Sequence, residues 1–268
     1  MSQILQRAAL FIAHPGHELR VHGWLARARP RVLVLTDGAG RTGTSRLPST
    51  ARVVEAAGGR PGSVFGRLSD PELYAALLRG DRELFVRIAE EVAADHVAAE
   101  VRLVAADAAE GYNPAHDLCR VLADAAVAIA ESEAGHAIAS FDFLLIGPPD
   151  RCPDELRRAA IRVELDDEEL ARKEAAAHGY PELTGEVDAA MREVDPGAFR
   201  TELLRPADAP HGGVPPEIPP FYERYGEQQV AAGYYRDVLR WRQHVLPIAR
   251  ALERRAGISL TSGIPCGS

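Results

Sequence analysis

Two short stretches of this chain carry residues whose types and spacing point to chemistry. His14 and His17 stand three residues apart in Phe11-Ile12-Ala13-His14-Pro15-Gly16-His17-Glu18-Leu19, and His116 lies in Glu110-Gly111-Tyr112-Asn113-Pro114-Ala115-His116-Asp117. Imidazole is the commonest protein ligand for metals and is largely neutral at pH 7. Three histidines with an open fourth position make a catalytic zinc site rather than a closed structural one. Three neutral imidazoles also suit Fe²⁺, Co²⁺ or Ni²⁺. On spacing alone, a polar residue in the first turn of a helix is an equal reading of His116.

The histidines need a scaffold that brings distant stretches together, and the hydrophobic pattern supplies one. Residues 8–13 form an apolar run that reads as a buried strand, ended by the turn at His14-Pro15-Gly16. Val21, Trp24, Leu25 and Ala28 follow at helical spacing. Arg31-Val32-Leu33-Val34-Leu35-Thr36 is a second buried strand, so the order is βαβ with a parallel sheet. Helical signals cover 49–57 and 70–95, interrupted near Gly80, with a short strand at 63–65 between them. Residues 100–106, 141–147 and 161–165 read as further strands, and a long helix starts near Pro114. The prediction is an α/β fold: a Rossmann-like, mostly parallel sheet flanked by helices, with a C-terminal helical and loop extension. It is read as one domain over 1–268, with the sheet core at about 1–165 and a helical lid or buttress at about 166–268. Asp166–His178 reads as a charged helix, 205–220 as a proline-rich loop, and 221–256 as one helix packing Val230, Tyr234, Val238, Trp241 and Val245. In an open sheet of this kind, sites form at the carboxyl ends of the strands, where both histidine stretches fall.

Composition narrows the function. The 268 residues are 46% hydrophobic and 26% charged, with a formal net charge of −8. An acidic balance argues against nucleic acid, which needs a basic surface. No apolar run approaches the ~20 residues of a membrane helix. Cys119, Cys152 and Cys266 form no CxxC pair, so a reduced, cytoplasmic setting is expected, with Cys119 a small buried residue. The expected partner is a small-molecule substrate, with neither nucleic acid nor membrane, and a homo-oligomer is compatible.

Other motifs are weaker. Gly38-Ala39-Gly40-Arg41-Thr42-Gly43 matches GxGxxG, but it follows the second strand and Pro48 precedes the next helix, so no helix N-terminus faces a pyrophosphate. A substrate-facing loop is the better reading. In His17-Glu18-Leu19-Arg20-Val21-His22 the second histidine falls at i+5, off the face an HExxH zinc helix requires, so His22 reads as a surface or partly packed residue. Arg41 and Arg46 suit an anionic or hydroxylated substrate, with solvated loop charge as the default. His211 reads as an exposed loop residue; His96, His136, His178 and His244 read as surface or helix-end residues.

Ala13-His14-Pro15-Gly16-His17-Glu18 resembles the AHPDDE signature of the PIG-L/LmbE-like zinc-dependent N-deacetylases, and Asn113-Pro114-Ala115-His116 falls where that family has HPDH. Leu35-Thr36-Asp37-Gly38-Ala39-Gly40 is similar to its strand-two loop. The resemblance implies a metal held by His14, His17 and His116. It also implies a lost general base at Gly16, and a lost histidine and aspartate at Asn113 and Ala115. The metal positions keep ligating residues while the acid–base positions have lost ionisable groups. Replacing a carboxylate ligand by His17 leaves a bound Zn²⁺ with more residual charge. A three-histidine zinc site lowers the pKa of bound water to ~7, so hydroxide is available without the base. Asp37, Glu110, Asp117 and Glu18 are candidates for the acid that protonates the leaving amine, and Asn113 for a donor to the oxyanion. The expectation is a metal-dependent hydrolase of non-peptide C–N bonds, acting on an N-acetylated, sugar-like or other small molecule. The alternatives are ester hydrolysis or redox chemistry at the same metal, or a binding protein that lost its base. An aspartate restored at Gly16 would reveal the last case.

Overall fold

The computed structural model describes residues 7–40, 43–193, 196–207 and 217–258. β1 (Ala8–Ile12), buried at every position, leads through a 3-10 turn (His17–Val21) into α1 (His22–Ala28). Arg29 then turns the chain at a left-handed φ of 48° into β2 (Arg31–Thr36). α2 (Leu47–Ala56), β3 (Arg60–Leu68), α3 (Asp70–Arg79), α4 (Arg82–Ala98) and β4 (Leu103–Asp107) follow. α5 (Pro114–Ala134) is the long helix, capped by Asn113. Next come β5 (Ala139–Phe143), the short α6 (Asp154–Arg157), β6 (Ile161–Glu164) and α7 (Asp167–His178), the last opened by a capping box between Asp166 and Glu169. 3-10 turns at Pro181–Leu183 and Pro196–Arg200 flank α8 (Thr184–Glu193). β7 (Thr201–Pro206), α9 (Phe221–Ala231), a π turn (Trp241–Val245) and α10 (Leu246–Ala256) complete the order.

The seven strands form one sheet in the order β3-β2-β1-β4-β5-β7-β6. The first five are parallel, and β7 runs antiparallel to both β5 and β6. β2 and β4 lie on opposite sides of β1, so the direction of winding reverses at β1, the switch point where such sheets open a crevice. Register makes the three strand ends level: Ile12 pairs with Val34, and Phe11 with both Leu33 and Ala106. The mostly parallel α/β fold expected from the sequence is the observed one.

Alternate strand residues feed two apolar layers. Phe11, Leu33, Leu35 and Val104 pack on α4, α5 and α10, against Phe85, Val92, Leu122 and Leu252 among others. Leu10, Ile12, Val32 and Val34 pack on the other face against Val21, Trp24 and Leu25. Both faces of the central strands are therefore covered, as a parallel sheet requires. Among the described residues no helix is long and apolar enough to cross a membrane.

Three features differ from expectation. β7 was not anticipated; its charged residues are neutralised by partners from other elements, Arg205 by Asp142 of β5 and Glu202 by Lys173 of α7. The expected helix over 221–256 is broken after Ala231, where Gly233 takes φ +78°, and Tyr234 is exposed instead of packed. The strand expected at 63–65 runs over Arg60–Leu68. Cys119 is buried as expected. Cys266 and His211 lie outside the described residues.

Candidate functional site

At the level rim formed by β1, β2 and β4, the three histidines meet. Ring centroids are 5.4 Å apart for His14 and His17, 5.3 Å for His14 and His116, and 4.6 Å for His17 and His116. The rings pack edge to face. His14 is delivered by the end of β1, His17 by the first residue of the 3-10 turn, and His116 by the first turn of α5 after β4. His14 and His116 are buried, which keeps the cluster away from bulk water. Burial, reinforced by the neighbouring His17 and His14, lowers the pKa of His116 and holds it neutral.

The hydrogen-bond network fixes two tautomers. Thr36 Oγ1 donates its proton to the Ala13 carbonyl at 3.0 Å, so toward His14 Nδ1, 2.8 Å away, it is an acceptor. Asp70 Oδ1 also accepts from His14 Nδ1, at 3.1 Å. Asp107 Oδ2 accepts from His17 Nδ1 and from the Ala13 amide, both at 2.8 Å. Nδ1 therefore carries the proton in His14 and His17, and the lone pair is on Nε2. A carboxylate that orients a histidine in this way is the usual outer partner of a metal ligand. Nδ1 of His116 is buried without a hydrogen-bond partner among the described residues.

Thr36, Asp70 and Asp107 were not singled out in the sequence. Asp107 ends β4 and Thr36 ends β2, so both sit at the rim by the same rule that placed the histidines. Asp70 opens α3, and only the fold brings it to His14. Burial alone would raise the carboxyl pKa of Asp70, but hydrogen bonding and charge from His14 hold it well below the usual range.

Gly16 holds a φ of +106°, a conformation that side-chain-bearing residues rarely adopt. A Cβ built there would lie 2.5 Å from Leu183 Cδ1. Leu183, from the turn before α8, thus occupies the space into which a residue-16 side chain would extend. Beneath it, the buried Glu18 accepts the Gly16 amide at 2.8 Å. Burial raises the Glu18 carboxyl to about 7, against hydrogen bonds from backbone, Thr50 and Tyr180. A pocket of about 190 Å³ opens beside Gly16, walled by Leu19, Leu183, Val187, Met191 and Phe199, with Lys173 at its base.

The remaining candidates are committed elsewhere to different degrees. Asp37 Oδ1 accepts the amides of Ala39 at 3.0 Å and Asp70 at 3.2 Å, so it ties the glycine-rich loop to the start of α3. Asp70 Oδ2 accepts the Gly40 amide at 2.7 Å, which makes that loop a support for the His14 partner and not a phosphate cradle. Glu110 grips the loop after β5 through the amides of Leu145 at 2.8 Å and Ile146 at 3.2 Å; burial raises its pKa. Asp117 is buried, accepts the Gly111 amide at 3.0 Å, and is raised to about 7 by desolvation. Asn113 Oδ1 accepts the Ala115 amide at 2.8 Å and the Tyr74 hydroxyl at 3.2 Å, leaving its Nδ2 as the donor on that side chain. Arg46 stands beside Gly38 and Gly40, whereas Arg41 lies outside the described residues. His22 and His96 are buried, not superficial.

The sequence matches no family model and no curated protein. Solved structures do match. The A40926 pseudoaglycone deacetylase Dbv21 superposes with a TM-score of 0.52 at 20% identity, over 75% of this chain and 96% of that one. The conserved protein TT1542 from Thermus thermophilus gives 0.53 at 23% identity, over 75% and 94%. Teicoplanin deacetylase Orf2, in a zinc-inhibited form, gives 0.50 at 15% identity, over 74% and 97%. The chain shares the fold of these three structures, two of them deacetylases. Within that fold, the histidines at the three motif positions expected to hold a metal are the ones brought together, while the motif position of the base is a glycine closed off by Leu183.

Among the described residues, no set of three or more His, Cys, Asp or Glu side chains already stands at metal-holding spacing. The donor chemistry nonetheless fits a metal. Two imidazoles present Nε2 lone pairs fixed by carboxylates, and the third is neutral with an unpartnered buried nitrogen.

Proposed function

We propose that His14, His17 and His116 hold a divalent metal, zinc in the first instance, and that the protein is a hydrolase of amide bonds in N-acetylated small molecules. The observation that carries this reading is the meeting of three imidazoles, two of them oriented by Asp70 and Asp107, at the switch point of a deacetylase fold. When bound there, the metal supplies Lewis acidity for activating water and polarising a carbonyl. Asp70 and Asp107 keep His14 and His17 in the tautomer that ligates. Asn113 offers Nδ2 to the oxygen on which charge develops. No aspartate serves as base at position 16; Asp117 and Glu18, both poised near neutrality, are the acidic groups closest in sequence to the ligands.

The test is metal content and acetate release from purified protein. One equivalent of zinc bound, lost in His17→Ala and His116→Ala together with acetate release, is the expected result; activity indifferent to chelation and to both substitutions sinks the proposal. Zinc is supplied at one equivalent and in excess, since the Orf2 neighbour was solved in a zinc-inhibited form. A second reading rests on Leu183. With the base position sealed, the same cluster would bind a metal and an N-acetylated ligand without cleaving it, shown by stoichiometric zinc and ligand recovered intact.

A further inference from the structure

A row of aromatic side chains lies on the outside of the molecule beside this rim. Tyr112 and Phe221 stack with ring centroids 5.2 Å apart and planes within 2°. Phe221 and Tyr225, one turn apart on α9, stack at 6.0 Å, and Tyr225 meets Tyr235 edge-on at 6.5 Å. Each of the four rings is 41–47% exposed. Contiguous exposed apolar groups of this kind mark a site that something covers.

The ladder is held firmly and leads back to the histidines. The Tyr222 amide donates to the Gly111 carbonyl at 3.3 Å, fixing the start of α9 to the loop before His116. The Gln229 carbonyl accepts the amides of Tyr234 at 2.9 Å and Tyr235 at 3.3 Å, which sets the last rung. Tyr112 precedes Asn113, whose Oδ1 takes the Tyr74 hydroxyl at 3.2 Å. Tyr74 in turn is close enough to feel both Asp70 and Tyr235. The Tyr112 end of the ladder thus adjoins Asn113 in the loop before His116, and the Tyr235 end lies near Tyr74, which also neighbours Asp70, the partner of His14. The ion pairs along α9 leave one carboxylate in excess: Arg224 pairs with Glu217 at 3.5 Å, while Glu223 and Glu227 share Arg240 at 3.3 and 2.8 Å. That excess disfavours an anionic head group, and the stacked rings favour an uncharged aromatic one as occupant. Aromatic rings extend such a ladder in the offset or edge-on geometries it already contains.

We propose that the ladder Tyr112–Phe221–Tyr225–Tyr235 binds a neutral aromatic ring carried by the substrate, remote from the bond that reacts. The inference rests on the reading of the histidine cluster as the reacting centre, and it names the substrate class as aryl-bearing N-acetyl compounds.

The test compares N-butylacetamide with N-(4-phenylbutyl)acetamide as probes of the zinc-loaded full chain, by ligand-observed NMR titration. The phenyl probe is expected to bind about three- to tenfold more tightly, the ratio one aromatic contact supplies. Phe221→Ala and Tyr225→Ala should bring the two probes to equal affinity with zinc uptake intact, while Tyr225→Phe keeps the advantage. Should the alanine variants fail to fold, saturation transfer from the ladder protons to the phenyl ring in the unsubstituted protein reads the same contact. Equal affinities in the unsubstituted protein, or an advantage that survives loss of the rings, overturns the proposal. So does a dimer in sedimentation that Tyr225→Ala dissociates, since the face would then be covered by a second copy. Zinc uptake separates the two readings: equal probes with zinc bound sink only the ladder, whereas absence of zinc sinks the centre itself.

Discussion

A buried carboxylate acts at this site through the nitrogen it leaves free. Asp107 Oδ2 accepts both the Ala13 amide and His17 Nδ1 at 2.8 Å, so it joins β1 to β4 and sets the His17 tautomer at once. Asp107→Ala is expected to weaken zinc binding about 10- to 100-fold, the usual effect of losing such a partner; competition with a chromophoric chelator measures it, and an unchanged affinity would refute the orienting role. Position 16 behaves differently. An aspartate there meets both the +106° backbone and Leu183 at 2.5 Å. Backbone strain of about 1–3 kcal/mol and overpacking of about 1–3 kcal/mol predict that Gly16→Asp destabilises the fold by roughly 2–6 kcal/mol in urea titrations. The substitution should yield no gain in acetate release. Adding Leu183→Ala removes the contact but not the strain, so it should recover only part of the loss. The expectation that an aspartate at Gly16 would reveal a lost base therefore changes: Leu183, from another element, fills the space that side chain would need.

At the scale of elements, Glu202 of β7 decides where α1 and the preceding turn sit. It is buried, and it accepts the α1 amides of Gly23 and Trp24 and the Lys173 ammonium, all at 2.8 Å. Lys173 also donates to the Arg20 carbonyl at 3.2 Å, inside the turn that carries His17. A carboxylate facing the first-turn amides of a helix is favoured by their partial positive charge. Glu202→Ala strands a buried ammonium and two amides, so a loss of about 3–5 kcal/mol is expected in urea titrations, with Glu202→Gln milder; a loss under about 1 kcal/mol would contradict this account. Here the limits of the sequence are visible. Strands whose residues are nearly all apolar, such as Arg31–Thr36, announce themselves, and so do the capped helices at Asp166 and Asn113. β7 did not, because Glu202 and Arg205 read as surface charge until Lys173 and Asp142 stand opposite them. The histidine trio was legible from motif and strand ends. Asp70 was not, since nothing local marks the first residue of α3 as a neighbour of His14. Tyr234 read as packing because helical spacing was extended through Gly233, where the helix stops.

For the molecule as a whole, buried ionisable groups shifted in opposite directions contribute to how stability follows pH, and three of them show the opposition. Glu18 and Asp117, both raised to about 7 by burial, favour the folded state when protonated, so their contribution is present at low pH and is lost as pH rises to about 7. His96 works in the other direction. It is fully buried in the last turn of α4 with neither ring nitrogen partnered among the described residues. Desolvation lowers its pKa to about 4, against the pull of Asp95 and with the help of Arg31. Between about pH 4 and 6.5 the unfolded chain therefore binds a proton at this residue that the folded chain refuses, and stability falls as pH drops through that window. The full effect is about 3 kcal/mol, flat again below about pH 4. His96→Leu keeps the volume and removes the proton site, so it isolates this contribution from the two acids. Urea titrations at about pH 7.5, 5.5 and 4.5 should show the variant near the unsubstituted protein at the highest pH. Its advantage should widen steadily toward the lowest. A gap that stays constant across the three would mean that His96 is solvated or paired in the folded state, and that acid sensitivity arises elsewhere.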